Sequence, residues 1–249
     1  MMELEGKVAL ITGAGSGIGE GTAILFAKEG AKLVLSDINE EAGNKVLVEI
    51  KENGGEAVFI KADTSVAEDS EKSVEVALKT FGRLDIAVNN AGIGGAMAPV
   101  GEYGIDDWDK VIAINLSGVF YGMRYQIPAM LKNVSGSIIN VASILGNVGL
   151  AKSAAYVAAK HGVVGLTKSA AIEYSSKGIR VNSVGPGFIK TPLLEQLEKE
   201  QLDQIIALHP IGRLGEVNEV AQLFLWLASE RSSFATGTYY PIDGGYLAR

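Results

Sequence analysis

The sequence predicts an α/β fold: a doubly wound, mostly parallel sheet of about seven strands with helices on both faces, in a single domain. Three observations predict it. Short apolar runs alternate with longer stretches of helical spacing along the chain. Glycines, 31 in 249 residues, gather where those runs end and the chain must turn. No stretch reads as a linker, repeat or low-complexity segment, and α/β chains of about 250 residues fold as one domain.

Each element has its own signal. Val8-Ala9-Leu10-Ile11 stops at Thr12-Gly13 and reads as a buried parallel strand. Ile18 to Lys28 carries apolar residues at helical spacing, and Gly30 closes it. Lys32 to Ser36 is the second strand, and Glu40 to Asn53 a helix ended by Gly54-Gly55. Ala57 to Ile60 is strand three, Val66 to Phe81 a helix with Gly82 past its end, and Leu84 to Val88 strand four. Asp106 to Met130 holds one or more helices, and Gly136 to Val141 is strand five. Ala154 to Ser176 is a long helical stretch, and Ile179 to Val184 strand six. Leu193 to Leu208 is amphipathic between Pro192 and Pro210, Glu216 to Ser229 is a further helix, and Thr238 to Ile242 a seventh strand. Crossovers between such parallel strands are right-handed.

Composition removes several function classes. Hydrophobic residues at 47% and charged residues at 20% rule out a disordered chain. The absence of Cys rules out a disulfide scaffold, a Cys-ligated metal and a cysteine nucleophile, and it fits a cytoplasmic protein. With two His and no ligand cluster, no metal is expected. A net charge of −7 argues against a nucleic-acid partner. The first residues have no basic segment followed by an apolar one, and no run approaches a membrane span.

The loop Thr12-Gly13-Ala14-Gly15-Ser16-Gly17-Ile18-Gly19 lies between the first strand and the first helix. An open α/β sheet binds dinucleotides there, where glycines let the backbone approach a pyrophosphate and the helix N-terminus offers free N–H groups. The spacing is Gly-x-x-x-Gly-x-Gly, since Ile18 and Glu20 occupy the places where a Gly-x-Gly-x-x-Gly fingerprint needs its third glycine. Asp37 ends the second strand at close to the ~20-residue separation of a ribose-binding carboxylate. Such a carboxylate accepts from both ribose hydroxyls and repels a 2′-phosphate. Ser16 and Ile38 flank it and neither is cationic, so NAD(H) is expected in preference to NADP(H).

Tyr156 and Lys160 stand at i and i+4 of one helical stretch. Ser143 follows strand five on the edge where ligands bind, and Asn115 sits within the apolar run Ile112-Ala113-Ile114-Asn115-Leu116. With the glycine loop, Asp63, Asn89-Asn90-Ala91-Gly92, Pro186-Gly187 and Thr191, these residues resemble the classical short-chain dehydrogenases/reductases from about Lys7 to Gly245.

The resemblance implies a Rossmann-type fold and hydride transfer between a nicotinamide and a carbonyl or secondary alcohol. Tyr156 is then the acid or base, its phenolate favoured by the nearby Lys160 ammonium. Ser143 holds the substrate oxygen, and Asn115 binds a water that refills the proton through Lys160. Gly13, Ser16, Gly17, Ile18 and Gly19 meet the pyrophosphate of the cofactor, Asp37 and Ile38 its adenosine ribose, Asp63 and Thr64 its adenine, and Asn90, Ala91 and Gly92 pass that ribose. Tyr156 and Lys160 also reach the nicotinamide end, where Pro186, Gly187, Ile189 and Thr191 bind. The pocket wall falls on Ile144, Leu145, Leu150, Phe188, Leu194 and Ile205, with a mobile lid near 190–212. This wall is apolar and suits a small hydrophobic ketone or alcohol. It offers little to a sugar, whose buried hydroxyls would lack partners. A 3-oxoacyl reductase is the second reading, and a non-catalytic NAD-binding sensor or scaffold the third. The resemblance also implies a homotetramer, with a dimer as the alternative, built through the long helices and the C-terminal segment.

Overall fold

Seven parallel strands form one sheet in the order β3-β2-β1-β4-β5-β6-β7. They are β1 (Val8–Thr12), β2 (Lys32–Asp37), β3 (Ala57–Lys61), β4 (Ile86–Asn89), β5 (Gly136–Val141), β6 (Ile179–Pro186) and β7 (Tyr239–Ile242). The computed structural model describes residues 2–191 and 198–248. Eight α-helices are seen among these: α1 (Gly17–Lys28), α2 (Glu40–Glu52), α3 (Ala67–Phe81), α4 (Ile105–Ile112), α5 (Gly118–Leu131), α6 (Ala154–Tyr174), α7 (Lys199–Ala207) and α8 (Val217–Ala228). No described helix is long and apolar enough to cross a membrane.

The strands are apolar throughout because both faces are covered. Alternate side chains point to opposite faces. Ala9, Ile11, Leu33 and Leu35 pack with Phe26 of α1 and Phe224 of α8. Val8, Leu10 and Val34 pack instead with Val74 of α3, Met130 of α5 and Ala170 of α6. Phe26 and Phe224 are wholly buried, each worth about 1.5–3 kcal/mol of transfer free energy.

Helix ends follow local chemistry. Asn39 caps α2, accepting from Ala42 N–H at 3.1 Å. Gly82 ends α3 in the left-handed region at φ 79°, its N–H bonded to Leu78 C=O. Glu216 and Glu219 form a reciprocal capping box at α8.

Three expected boundaries shift. The stretch 106–130 is two α-helices joined by a π-helical turn, Ala113–Ser117, in which Gly118 N–H bonds Ala113 C=O. Strand four begins at Ile86, because the Asp85 side chain turns to take Val8 N–H at 2.9 Å and the Arg83 fork. The amphipathic segment 193–208 is helical from Lys199, opened by a Glu198–Gln201 capping box, and residues 192–197 lie outside the described residues.

A buried amide network ties β4 and β5 to the helices beneath the C-terminal edge. Asn89 Nδ2 donates to Gln126 Oε1 at 3.1 Å and to Asn140 Oδ1 at 2.9 Å. Gln126 Nε2 returns a bond to Asn89 Oδ1 at 2.8 Å, and Asn140 Nδ2 reaches Thr167 Oγ1 on α6 at 3.0 Å. All four residues are buried, so each group lost strands another without water. Asn140→Ala is therefore expected to lower unfolding free energy by about 2–3 kcal/mol in urea titrations.

Candidate active site at the carboxyl edge of the sheet

β1 pairs with both β2 and β4, so the strand order reverses at its carboxyl end. A cleft of about 370 Å³ opens there. Its floor is the loop between β1 and α1. Thr12 Oγ1 accepts from the N–H groups of Asn90 and Ala91 at 3.0 and 3.1 Å. The Asn90 amide donates to Thr12 C=O and Gly13 C=O at 2.9 and 3.2 Å. The segment after β4 is thus stitched to the loop after β1. A Cβ at Gly19 would overlap the Gly13 carbonyl oxygen, so only glycine lets α1 start this close to the loop. Ser16 makes no side-chain cap, and Ser16, Gly17 and Ile18 line the cleft at the helix N-terminus.

Asp37 and Ile38 line one region of the cleft, Asp63 and Thr64 another, and Asn90, Ala91 and Gly92 the strand-four side. Thr191 also lines it, with its methyl beside Gly17. Asp37 is engaged at both oxygens: Oδ2 accepts from Gly15 N–H and Oδ1 from Asn39 N–H, each at 2.8 Å. Asp63 Oδ1 accepts from Ser65 N–H and Oγ at 2.8 and 2.7 Å. Asp37 and Asp63 are the charged members of this lining, and no Lys or Arg joins them among the described residues. Sequence reasoning missed Ser36, Ala62, Ile93 and Ile114, which also line the cleft; each adjoins a motif residue in sequence but carries no chemistry of its own.

The second group of residues meets beside this cleft. Ser143 follows β5 and opens a single 3₁₀ turn, Ile144–Gly146, with its Oγ accepting from Leu145 N–H at 3.1 Å. The Tyr156 hydroxyl from α6 lies beside the Ser143 side chain. One turn on, Lys160 Nζ lies 5.5 Å from the Tyr156 ring centroid and donates to Val141 C=O at 2.7 Å. A Cβ at Gly92 would lie 3.2 Å from Asn115 Oδ1 and 3.6 Å from Lys160 Nζ, so all three segments adjoin.

Two details depart from expectation. Burial pushes the Tyr156 hydroxyl above the usual tyrosine range, only partly offset by the neighbouring Ser143 hydroxyl. Burial likewise brings the Lys160 ammonium down to about 8. In the protein alone, desolvation is the largest cause of both shifts. Asn115, wholly buried in the π turn, spends its side-chain amide on Ile93: Oδ1 accepts from Ile93 N–H at 2.8 Å and Nδ2 donates to Ile93 C=O at 2.7 Å.

The expected nicotinamide and pocket residues are more scattered. Pro186 ends β6, and Gly187 N–H bonds Ile242 C=O at 3.0 Å. Ile189 is buried in the core and bridges to Gly215. Ile144 and Leu145 are buried in the turn after Ser143, whereas Leu150 is exposed. Leu194 lies outside the described residues. Phe188 and Ile205 are joined by a residue read from sequence only as a helix exit. Buried His209 accepts Phe188 N–H at Nε2, 3.2 Å, and its Nδ1 lies 2.9 Å from Ile205 C=O. Its ring packs edge-on against Phe188 and beside Tyr246.

Comparison with known proteins supports one kinship. A family described as enoyl-(acyl carrier protein) reductase matches residues 13–247. Cyclohexanol dehydrogenase of Acinetobacter sp. (strain SE19) is 51% identical, the match covering 98% of this chain and 96% of that protein. The 3-oxoacyl-[acyl-carrier-protein] reductase FabG of Thermotoga maritima is 42% identical over 99% of this chain and 100% of its own length. The crystal structure of levodione reductase superposes with a TM-score of 0.95 at 38% identity, covering 98% of this chain and 99% of that one. NAD+-bound xylitol dehydrogenase gives 0.92 at 34% identity, covering 98% and 100%.

Overpacking of a rigid backbone contact costs about 1–3 kcal/mol. Gly19→Ala, forced against the Gly13 carbonyl, is expected to destabilise by that amount and to weaken dinucleotide binding, measured by thermal unfolding and by quenching of intrinsic fluorescence.

Proposed function

This chain belongs to the classical short-chain dehydrogenase/reductase family, and we propose that it transfers a hydride between NAD(H) and a small apolar ketone or secondary alcohol, with Tyr156 as acid and base. The single observation that carries the reading is the convergence of Ser143, Tyr156 and Lys160 beside a cleft whose charged lining is acidic. The cleft fits a dinucleotide. Its floor has no room for a Cβ at Gly19, its helix N-terminus is free to receive phosphate, and Asp37 lies where ribose hydroxyls would be met. Gly13, Ser16, Gly17, Ile18 and Gly19 hold the pyrophosphate side, Asp37 and Ile38 the ribose, Asp63 and Thr64 the adenine. Asn90, Ala91, Gly92, Pro186, Gly187, Ile189 and Thr191 carry the remainder toward the nicotinamide. Bound NADH supplies the hydride, and NAD+ accepts it in the reverse direction.

The chain's own residues manage the oxygen. Ser143 orients the carbonyl oxygen beside the Tyr156 hydroxyl, which gives it a proton as the carbon takes the hydride. Burial keeps Tyr156 protonated at neutral pH, the form that reduction needs. Oxidation needs the phenolate, favoured by the Lys160 ammonium across the ring. The Asn115 amide is spent on Ile93, so its side chain is already engaged and does not by itself offer a relay water a partner.

Cyclohexanol dehydrogenase and the 2,5-dichloro-2,5-cyclohexadiene-1,4-diol dehydrogenases, at 40–41% identity for the latter, carry six-membered-ring alcohols in their names. A cyclic secondary alcohol or its ketone is accordingly the substrate class we favour. The similarity to the Thermotoga 3-oxoacyl reductase keeps a 3-oxoacyl thioester as the second reading. The apolar side chains of Trp108, Phe120 and Ile172, exposed on α4, α5 and α6, support assembly into a tetramer through those helices.

The test is NADH consumption with cyclohexanone, an aryl ketone, an acetoacetyl thioester and a ketose. Turnover of the cyclic and aryl ketones above the other two supports the proposal, and preference for the thioester would replace it with the second reading. Tyr156→Phe is expected to lower kcat by about 10²–10⁴-fold while leaving NADH binding intact. Like-charge contact costs several kcal/mol, so NADH should exceed NADPH in kcat/KM by more than about 10²-fold, and Asp37→Asn should narrow that gap at least about tenfold. Because burial holds the Tyr156 hydroxyl above the usual tyrosine range, its phenolate fraction keeps growing with pH up to about 10 and beyond, so NAD+-dependent alcohol oxidation should climb from about pH 7 to about 10, while ketone reduction, which uses the protonated form, should show no loss from Tyr156 in that window.

A further inference from the structure

We infer that Tyr239 is a positioning residue for this reaction: from β7 it reaches across β6 and fixes the main chain of Ser143. The inference rests on the role proposed for Ser143. Tyr239 pairs in register with Ser183 of β6. Its ring then lies over Gly185, where a Cβ would overlap the phenol oxygen and ring carbons. This slot, open only because residue 185 has no side chain, lets the hydroxyl pass one strand and donate to Ser143 C=O at 2.9 Å. The ring also packs among Val119, Ala142 and Val163, under the helix that bears Tyr156 and Lys160.

Ser143 needs such an anchor. The last β5–β6 rung near it is Ala142 N–H to Val184 C=O at 2.8 Å, and beyond that rung the chain leaves the ladder. Gly146 N–H bonds the Ser143 carbonyl at 2.8 Å, but both belong to the same turn, which can move as a unit. Tyr239 ties that turn to the far edge of the sheet. Burial and the nearby Asp243 carboxylate push the Tyr239 hydroxyl up to about 12, so it remains a donor across the working pH range. A side chain held by its main chain within a fraction of an ångström is what a donor to a reacting oxygen requires, and a 1 Å misplacement can cost about 10²-fold.

The experiment compares four proteins with the ketone turned over fastest: wild type, Tyr239→Phe, Ser143→Ala and the double variant. Tyr239→Phe is expected to lower kcat about tenfold, with the fluorescence-titrated Kd for NADH within about twofold of wild type. In the Ser143→Ala protein the same change should have no further effect on kcat, because the group it positions is gone. Gly185→Ala, which keeps the hydroxyl but displaces the ring, should reproduce the loss. Wild-type kcat in both Tyr239→Phe and Gly185→Ala, alongside a crippled Ser143→Ala, overturns the inference. An equal drop from Tyr239→Phe with and without Ser143 also overturns it, since that is the mark of a general structural role. Full activity in Ser143→Ala overturns the role of Ser143 itself, and is told apart by that single variant.

Discussion

The position of β1 between β2 and β4 is the constraint from which the site follows. Parallel strands joined by right-handed crossovers must wind outward from a central strand, and here the winding changes direction beside β1. The chain leaving β1 turns toward α1 on one face, and the chain leaving β4 turns away on the other. The gap between them is a cleft that no side chain had to be removed to create. Thr12 and Asn90 then lock its two walls together through four hydrogen bonds, so the cleft has a fixed width before any ligand arrives.

The chemistry is mounted on the opposite side of the same edge. Ser143 comes from the end of β5, Tyr156 and Lys160 from α6, and Asn115 from the junction of α4 and α5. These elements are joined below by the Asn89–Gln126–Asn140–Thr167 amides and above by Asn115 and Ile93. Lys160 is a buried cation held by a main-chain carbonyl instead of a carboxylate. Burial explains its weakened hold on the proton, and the neutral carbonyl brings no opposite charge to offset it. A carboxylate there would have kept the lysine fully charged and also competed for the phenol.

Much of this was legible in the sequence, and the exceptions share a cause. The sheet was readable because strands buried on both faces are continuously apolar and end at glycines. The cleft was readable because Gly19 and Asp37 each answer a requirement of close backbone approach or hydrogen-bond acceptance that few residue types meet. The residues that converge beside the cleft, Asn115, Ser143, Tyr156 and Lys160, were readable as a set in order, which Tyr156 and Lys160 alone would not have been. The pocket wall was not: Ile144 and Leu145 look the same in sequence whether they face a ligand or the core, and they are buried. His209 and Tyr239 escaped because their partners, Phe188 N–H and Ser143 C=O, are main-chain groups remote in sequence. The π turn escaped because a one-residue widening leaves no change in residue type.

Asp37 has a consequence for how cofactor choice can drift. The carboxylate that faces the cleft also receives the Gly15 and Asn39 N–H groups, so a side chain proposed to filter the cofactor is also a latch on the loop. A substitution that welcomes a 2′-phosphate by deleting the side chain also unlatches the glycine loop. An evolutionary path from one dinucleotide to the other therefore runs through an intermediate that keeps an acceptor without the charge, and only then recruits a cation nearby. The proposed cofactor preference is thereby coupled to the architecture of the loop itself.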